Sequence, residues 1–222
     1  MKIFRKRTEK MLIKELISIL KKSINSNIKA GKRFSFVLTG GPSPRLLYKN
    51  LPKYILDWSK IDLFWGDERF VSQKSKNSNY RLAKTLLLDK LNINKRNIFK
   101  INTNFKNVQI ASKNYSKNIK EYFGSKKIIF DTILLGMGFD GHVASIFNDK
   151  INLKEKKITE FVFRPDFKRI SLSLNTINKS KKIFLLLNNK KLVKIYKDFK
   201  LKKAKVPVNF LNKKKLILFI VE

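Results

Sequence analysis

Apolar residues recur every three or four positions in several stretches of the chain, and this spacing predicts amphipathic helices. The longest such stretch runs from Met11 to about Ile28, where one face is apolar and the other face is polar. The predicted helices cover residues 11 to about 28, 42–51, 77 or 78 to about 91, 108–123, a short segment between 174 and 183, and 190 to about 200.

Short, nearly unbroken apolar runs lie between these helices and are typical of strands that are covered on both faces. The predicted strands cover residues 33–38, 61–65, 98–101, 130–135, 170–174, 183–187 and 216–221. Strands that alternate with helices favour a doubly wound, mostly parallel sheet with helices on both faces, which is a Rossmann-like α/β fold. We expect one such domain over residues 1–222, with its ligand beyond the carboxyl ends of the strands.

The first predicted strand ends in a loop rich in glycine and proline, residues 39–45, which leads into a helix. Gly40 and Gly41 would let backbone amides approach an anion closely, and the helix N-terminus would add a favourable dipole. An ordinary turn between a strand and a helix has the same composition, and Pro42 and Pro44 lack N–H donors. The loop is therefore either a phosphate cradle or a plain connection.

Charged residues follow the second predicted strand, where Asp67, Glu68 and Arg69 stand in a row. Such residues usually form only a surface salt bridge. The functional alternative gives Arg69 to a substrate phosphate, because its planar guanidinium binds pairs of oxygen atoms. Asp67 would then hold a substrate hydroxyl or orient a neighbouring group, and Arg81 in the next helix would offer a second arginine.

The only histidine of the chain, His142, lies in a glycine-rich segment, residues 136–145, directly after a buried strand. A lone histidine usually has no catalytic duty. Here its position near Asp140, beside several glycines and at the edge of the sheet where ligands bind, favours a catalytic role. Histidine is the side chain best suited to take a proton from water near neutral pH.

The composition excludes several kinds of site. The chain has no cysteine and one histidine among 222 residues, which rules out disulfides and thiolate metal sites and argues against a zinc or iron site. No apolar run approaches the roughly 18 residues that a membrane span needs. The N-terminus also lacks a signal-peptide pattern, so we expect a cytoplasmic protein.

The formal net charge of +35 invites a nucleic-acid-binding interpretation. The lysines, however, are spread over nearly every predicted helix and loop, and no DNA- or RNA-binding motif accompanies them. Lysine, asparagine and isoleucine are abundant together, as AT-rich codons would produce. Compositional drift is therefore the preferred explanation, and a basic surface would still attract an anionic substrate.

Several segments together make the chain recognisable. The strongest are FWGDERFV followed by NSNYRLAKTLLLDKL, and FDTILLGMGFDGHVASIF, with weaker support from RISLSLNTINKSKKIFLLL. With these motifs the sequence resembles the 6-phosphogluconolactonase family, within the wider group that includes glucosamine-6-phosphate isomerases. The resemblance covers essentially the whole chain, and the combination of Gly-Asp-Glu-Arg with Asp-Gly-His-x-Ala-Ser at this separation is highly specific.

The resemblance implies hydrolysis of 6-phospho-D-glucono-1,5-lactone to 6-phospho-D-gluconate, the second step of the oxidative pentose phosphate pathway. His142 would be the general base that activates water, and Asp67 would support the catalytic arrangement. Asp140 and Gly141 would support the loop that carries the base. A lactone is an activated ester, so a base and electrostatic stabilisation of the oxyanion suffice. The resemblance implies no metal and no cofactor.

The resemblance also assigns residues to the substrate phosphate. These residues are Gly40, Gly41, Ser43, Arg69, Arg81 and Lys191. The two glycines and the serine match the family's loop of two glycines followed by hydroxyl residues, and Arg81 is the weaker of the two arginines. Lys191 fits the family's Gly-x-x-Lys only if Asn188 stands in for the glycine.

The chain departs from the family pattern at four places. Pro42-Ser43-Pro44 replaces Ser-Thr-Pro, which removes one amide donor and keeps a hydroxyl. The other departures are Val143 for a threonine, Asn148-Asp149 for Pro-Gly, and Asn188 for a glycine. These departures leave the expected base and phosphate ligands in place, so they bear on rate and affinity more than on reaction type.

Three other functions stay open at this point. An amino-sugar-phosphate isomerase or deaminase would share the Asp-Gly-His loop, but such relatives carry Met-Asp-Glu-Tyr where this chain has Gly-Asp-Glu-Arg, which favours the lactonase. The others are a basic nucleic-acid-binding protein on the same fold and an inactive relative. We expect the small-molecule lactone as partner, no membrane, no specific nucleic acid, and a monomer or weak dimer.

Overall fold

The computed structural model describes residues 1–54 and 56–222, which form a large and a small β-sheet with helices between the strands. The strands are β1 (Lys2–Lys6), β2 (Phe34–Leu38), β3 (Ile61–Trp65), β4 (Asp67–Arg69), β5 (Ile98–Phe99), β6 (Thr132–Leu135), β7 (Thr159–Phe163), β8 (Lys168–Leu172), β9 (Lys182–Leu187) and β10 (Leu216–Val221). The α-helices are α1 (Glu9–Lys29), α2 (Arg45–Asn50), α3 (Asn79–Leu86), α4 (Val108–Phe123), α5 (Leu174–Lys179) and α6 (Lys190–Leu201). Short 3₁₀ helices cover Leu51–Lys53, Trp58–Lys60, Leu88–Lys90, Lys95–Asn97, Asn148–Lys150 and Pro207–Phe210.

The larger sheet has seven strands in the order β1-β10-β9-β6-β2-β3-β5, and its neighbouring strands are parallel. The strands β2, β3 and β6 are buried along their whole length, as expected of parallel strands that are covered on both faces. This architecture confirms the predicted doubly wound α/β fold. No helix among the described residues is both long enough and apolar enough to cross a membrane.

The first helix shows how the apolar spacing builds the core. Its buried residues are Leu12, Ile13, Leu16, Ile17, Leu20, Ser23 and Ile24. The helix begins after Thr8, whose hydroxyl accepts a hydrogen bond from the amide of Met11 at 3.2 Å. Burying each large aliphatic side chain contributes about 1.5–3 kcal/mol, so this face holds α1 against β1, β2 and β10.

A smaller antiparallel sheet, in the order β4-β8-β7, begins where β3 ends. The chain leaves the large sheet at Gly66, whose amide donates to the carbonyl of Leu38 at 2.8 Å. The carbonyl of Gly66 accepts a hydrogen bond from the amide of Leu172, in β8, also at 2.8 Å. A single residue therefore separates the two sheets, and β4 extends from the carboxyl end of β3.

The apolar pattern fails to predict three of the strands, and each failure has a physical reason. β1 lies at the edge of the large sheet and exposes most of its side chains. β4 has three residues, all of them charged. β7 buries Val162 but exposes Phe161 and Phe163, so its alternation is too short to stand out.

Some predicted bounds are also shifted. The strand predicted over 170–174 is β8, which stops earlier because the hydroxyl of Ser173 accepts from the amide of Thr176 at 3.2 Å and starts α5. The helix predicted from residue 42 begins only at Arg45. The helix predicted to reach about residue 91 and the strand predicted over 98–101 are both shorter than predicted.

Two buried tyrosines complete the hydrogen bonding where β2 and β3 end. The hydroxyl of Tyr48 donates to the carbonyl of Thr39 at 2.6 Å and accepts from its amide at 3.0 Å. The hydroxyl of Tyr115 makes the same two bonds with Trp65, both at 2.9 Å. Burial raises the pKa of both phenols far above the ordinary value, so both hydroxyls stay protonated and keep their donors.

The substitution Tyr115→Phe tests this arrangement. It leaves a buried N–H and a buried C=O of Trp65 without a partner, and we expect the free energy of unfolding to fall by about 1–3 kcal/mol in urea titrations. The control is Tyr196→Phe, because among the described residues the hydroxyl of Tyr196 has one hydrogen-bond partner, the sulfur of Met1 at 4.0 Å. Equal losses in the two variants would contradict the role of the Tyr115 hydroxyl.

The carboxylate of Asp131 joins the beginnings of β2 and β6. Its Oδ2 accepts from the amide and the hydroxyl of Ser35, both at 2.9 Å, and its Oδ1 accepts from the ammonium of Lys181 at 2.5 Å. Burial opposes the ionisation of Asp131, but the hydrogen bonds from Lys181 and Ser35 hold its pKa below the ordinary value. The ionised carboxylate therefore stabilises the folded state.

The stability that Asp131 provides should depend on pH. Because its pKa is lower in the folded state, this contribution is fully present above the ordinary pKa of 3.8 and is lost as the pH falls through the folded-state value. We expect Asp131→Asn to be less stable than the wild type by about 1–3 kcal/mol at neutral pH. Urea unfolding at a series of pH values should show this difference shrinking in acid, and a difference independent of pH would argue against the ionised form.

Candidate active site

A cavity of about 640 Å³ lies beyond the carboxyl ends of β2, β3, β6 and β9, where a doubly wound sheet binds ligands. The segments that follow these four strands supply most of its walls. They contribute Thr39, Gly40, Gly41, Pro42, Ser43, Asp67, Arg69, Gly136, Met137, Gly138, Phe139, His142, Ala144, Asn188 and Asn189. The structure thus gathers six residues that the sequence singles out around one cavity, namely Gly40, Gly41, Ser43, Asp67, Arg69 and His142.

His142 stands on a tight loop that depends on glycines. The amide of Gly138 donates to the carbonyl of His142 at 3.0 Å and closes the loop. A Cβ atom on Gly138 would lie 2.2 Å from the imidazole, so any larger residue would displace the ring. Gly141 has a φ of +84°, which other residues rarely adopt, and a Cβ atom there would lie 2.8 Å from Val206.

Asp140 determines which nitrogen of the imidazole is protonated. Its Oδ1 lies 2.6 Å from Nδ1 of His142 and also accepts from the His142 amide at 3.2 Å. Partial burial opposes the ionisation of Asp140, but the charge and hydrogen bonds of His142 lower its pKa below the ordinary value. An ionised Asp140 accepts the Nδ1 proton, so Nε2 carries the lone pair. The imidazole is 30% exposed, and water can therefore reach it.

Asp67 ties β4 to the loop that carries the histidine. Its Oδ2 accepts from the hydroxyl of Ser145 at 2.7 Å, and its Oδ1 accepts from the side-chain amide of Asn79 at 3.2 Å. Ala144, just before Ser145, has a φ of +50°, an uncommon conformation for a residue with a Cβ atom. The buried carboxylate therefore connects β4, α3 and the loop that contains His142.

Glu68 faces the opposite side of β4, because successive side chains of a strand alternate. Its carboxylate accepts from the amides of Arg69, Asn79 and Tyr80 at 2.7–2.8 Å and from the hydroxyl of Ser78 at 3.0 Å. Burial raises the pKa of Glu68 to about 7, against the three backbone N–H groups that favour its ionised form. Glu68 thereby anchors the beginning of α3 on β4.

Arg69 and Arg169 lie opposite each other in the register of β4 and β8, and both line the cavity. Arg69 donates from Nη1 to the carbonyl of Asn77 at 2.9 Å, and Arg169 forms an ion pair with Asp166. The Nε of each arginine is buried and has no hydrogen-bond partner in the part of the chain that the structure describes. Two adjacent guanidinium groups at the wall of one cavity are suited to phosphate oxygens.

Cationic side chains outnumber acidic ones around the cavity. Arg45 and Lys49 add to the charge of the two opposed arginines, whereas Glu9 and Asp67 are the acidic groups in its lining. This excess favours an anionic ligand. Within residues 1–54 and 56–222, no group of three or more histidine, aspartate or glutamate side chains could hold a metal ion.

Asn188, which stands where the family pattern has a glycine, connects two walls of the cavity. Its side-chain amide donates to Oε1 of Glu9 at 2.6 Å and to the carbonyl of Ser43 at 3.1 Å. Because Glu9 lies in the first turn of α1, this departure holds the loop after β2 against the beginning of that helix.

Two of the phosphate ligands expected from the sequence lie outside the cavity lining. Arg81 is exposed on α3, and its guanidinium donates to the carbonyl of Lys74. Lys191 is exposed on α6, where its Nζ lies 5.0 Å from the ring centre of Phe139. Arg169 is the reverse case, since it lines the cavity although sequence reasoning gives it no role. Its position opposite Arg69, in the pairing of β8 with β4, is the feature that identifies Arg169 as a residue of the site.

Known proteins resemble this chain in sequence and in fold. A sequence profile of the family described as "Glucosamine-6-phosphate isomerases/6-phosphogluconolactonase" matches residues 7–219. A 6-phosphogluconolactonase of Nostoc sp. is 34% identical over 153 residues, which are 67% of this chain and 64% of that protein. A probable 6-phosphogluconolactonase of Arabidopsis thaliana is 33% identical over 78% of this chain and 70% of that protein.

A solved structure extends the comparison to the fold. The crystal structure of 6-phosphogluconolactonase from Thermotoga maritima matches with a TM-score of 0.88 at 24% identity, over 100% of this chain and 99% of that one. The profile match over nearly the whole sequence confirms the resemblance inferred from the motifs. The chain therefore belongs to the family of glucosamine-6-phosphate isomerases and 6-phosphogluconolactonases.

Proposed function

We propose that this protein hydrolyses 6-phospho-D-glucono-1,5-lactone to 6-phospho-D-gluconate, the second step of the oxidative pentose phosphate pathway, with His142 as general base. The curated relatives that carry the name 6-phosphogluconolactonase support this activity. The observation that carries the mechanism is the 2.6 Å contact between Asp140 and Nδ1 of His142, beside a cavity with opposed arginines.

In the proposed reaction, Nε2 of His142 takes a proton from a water molecule while the water oxygen attacks the lactone carbonyl. The tetrahedral intermediate then collapses, and the bond between the carbonyl carbon and the ring oxygen breaks. The imidazolium returns its proton to the leaving ring oxygen, which becomes a hydroxyl group, and the new carboxylic acid ionises. Asp140 stabilises the imidazolium between the two transfers, because a nearby negative charge favours the protonated ring.

We assign the substrate phosphate to the wall where Arg69 and Arg169 lie opposite each other. Both arginines line the cavity and are register partners, which supports this assignment. Gly40, Gly41 and Ser43 would border the same anion from the loop after β2. Anchoring the phosphate would hold the ring still, so that the attacking water meets a carbonyl in a defined position.

Amino-sugar-phosphate isomerisation is the other activity within the family's description. The segment Gly-Asp-Glu-Arg, in place of Met-Asp-Glu-Tyr, favours the lactone, because it sets Arg69 in the cavity wall.

We further propose that residues 1–222 act as one domain, as a cytoplasmic monomer or weak dimer without a specific nucleic-acid partner. The continuous apolar core supports the single domain.

The first test compares the wild type with His142→Asn on freshly generated 6-phosphogluconolactone at neutral pH. A chelator is present, and the rate of spontaneous opening is subtracted. We expect chelator-insensitive hydrolysis in the wild type and a fall of about 10²–10⁴-fold in the variant, which is the usual contribution of a general base.

Two outcomes would count against this proposal. Undiminished activity in His142→Asn would remove the histidine from the mechanism while leaving the reaction intact. A wild type that only matches the blank would overturn the reaction itself. Glucosamine 6-phosphate would then be assayed for the release of ammonia.

The arginine pair should control affinity for the phosphate. A hydrogen bond to a charged group contributes about 1.5–3 kcal/mol, so we expect Arg69→Gln and Arg169→Gln each to raise KM by roughly ten- to a hundredfold. Steady-state kinetics would measure the effect, with Arg96→Gln as control because Arg96 is exposed in a separate 3₁₀ helix. Unchanged KM values in both variants would place the phosphate elsewhere.

A further inference from the structure

The ring of Phe147 packs at a tilt against the imidazole of His142, although the mechanism above gives this phenylalanine no role. The two ring centres are 4.6 Å apart, and the ring planes differ by 34°. Phe147 is half-buried and directly precedes the 3₁₀ helix Asn148–Lys150. The proposed base therefore has a hydrogen bond at one edge and an aromatic ring against one face.

Arginines cluster around the same phenylalanine ring. Cζ of Arg164 lies 4.0 Å from the ring centre of Phe147, and the guanidinium forms an ion pair with Asp149. The side chain of Arg164 is only 24% exposed, and its Nε is buried with no partner among the described residues. Cζ of Arg169 lies 5.7 Å from the same ring centre. Phe147 thus lies near both the proposed base and one of the proposed phosphate ligands.

The hydrogen bond that Nδ1 of His142 donates to Asp140 holds the imidazole at only one atom. Small rotations of the side chain can keep this contact and still tilt the ring, which would carry Nε2 away from a bound lactone. An aromatic surface against the face of His142 restricts this rotation. The negative face of the phenylalanine ring also attracts the imidazolium that forms when the base takes its proton.

We propose that Phe147 is a positioning residue for His142 and that Arg164 holds the phenylalanine ring in place. This inference rests on the proposed function, since it concerns the orientation of the general base. Asp149, which anchors Arg164, stands where the family pattern often has a glycine. The ion pair that holds Arg164 therefore uses a residue at which this chain departs from the family pattern.

The kinetic test uses Phe147→Leu, which keeps an apolar side chain but removes the flat ring. We expect kcat to fall about three- to tenfold, in line with the usual strength of an aromatic pair, while KM changes by less than about twofold. Phe147→Tyr keeps the ring and should restore kcat to about the wild-type value. Phe161→Leu is the matched control, because Phe161 is exposed on β7 and does not line this cavity.

A spectroscopic test does not depend on activity. The chain has one histidine, so the Cε1–H group of its imidazole gives a single nuclear magnetic resonance signal. The ring current of Phe147 should shift this signal upfield in the wild type. Phe147→Leu should move the signal back, Phe147→Tyr should keep it in place, and Arg164→Gln should move it part of the way.

Each outcome supports or overturns the proposal. A wild-type kcat in folded Phe147→Leu would overturn it, as would an unmoved histidine signal. A rise in KM at constant kcat would overturn it as well, because Phe147 would then only contact substrate. If thermal unfolding shows that the leucine variant is not folded, the histidine signals of Phe147→Tyr and Arg164→Gln test the proposal instead. If the wild type hydrolyses no lactone, the proposed function fails, and the histidine signal still decides whether Phe147 positions the ring.

Discussion

The hydroxyl groups of Tyr48 and Tyr115 define the edge on which the cavity is built. A parallel strand that ends inside a protein leaves an N–H and a C=O without a neighbour, and such groups are costly when buried. The hydroxyl of Tyr48 forms hydrogen bonds with both the N–H and the C=O of Thr39, directly after β2. The hydroxyl of Tyr115 does the same for Trp65, at the end of β3. Because Leu38 and Trp65 are register partners, β2 and β3 end side by side. The loops that follow the two strands therefore start at the same position along the sheet.

Buried carboxylates then connect the segments that diverge from this edge. The chain has 16 acidic residues against 51 lysines and arginines, yet Asp67 and Glu68, which follow β3 at this edge, are both buried. In β4, successive side chains point to opposite sides of the strand and contact different parts of the structure. Glu68 anchors α3 on one side, while Asp67 and Arg69 face the cavity on the other. A strand of three residues thereby fixes a helix, the loop that carries His142 and a candidate ligand for phosphate.

The sequence predicts best what is carried by local, repeated patterns. The bounds of α4 and β10 agree with prediction, because a long apolar period or an unbroken apolar run defines them. The site residues after β2, β3 and β6 are predictable as a group, since parallel strands bring their carboxyl ends to one edge. Arg169 is not predictable in this way, because its position opposite Arg69 depends on an antiparallel register between segments about 100 residues apart in sequence. Lys191 illustrates another limit, since a motif locates a residue but not the direction of a long side chain.

The glycines near the proposed base limit which substitutions this sequence can accept. Only eight glycines occur in the chain, and four of them, Gly40, Gly41, Gly136 and Gly138, line the cavity. A Cβ atom would meet the side chain of Asn79 at 1.8 Å from Gly40, and the imidazole at 2.2 Å from Gly138. A composition rich in lysine, asparagine and isoleucine can place side chains over most of the surface, but Gly40 and Gly138 leave no room for one without moving Asn79 or the imidazole.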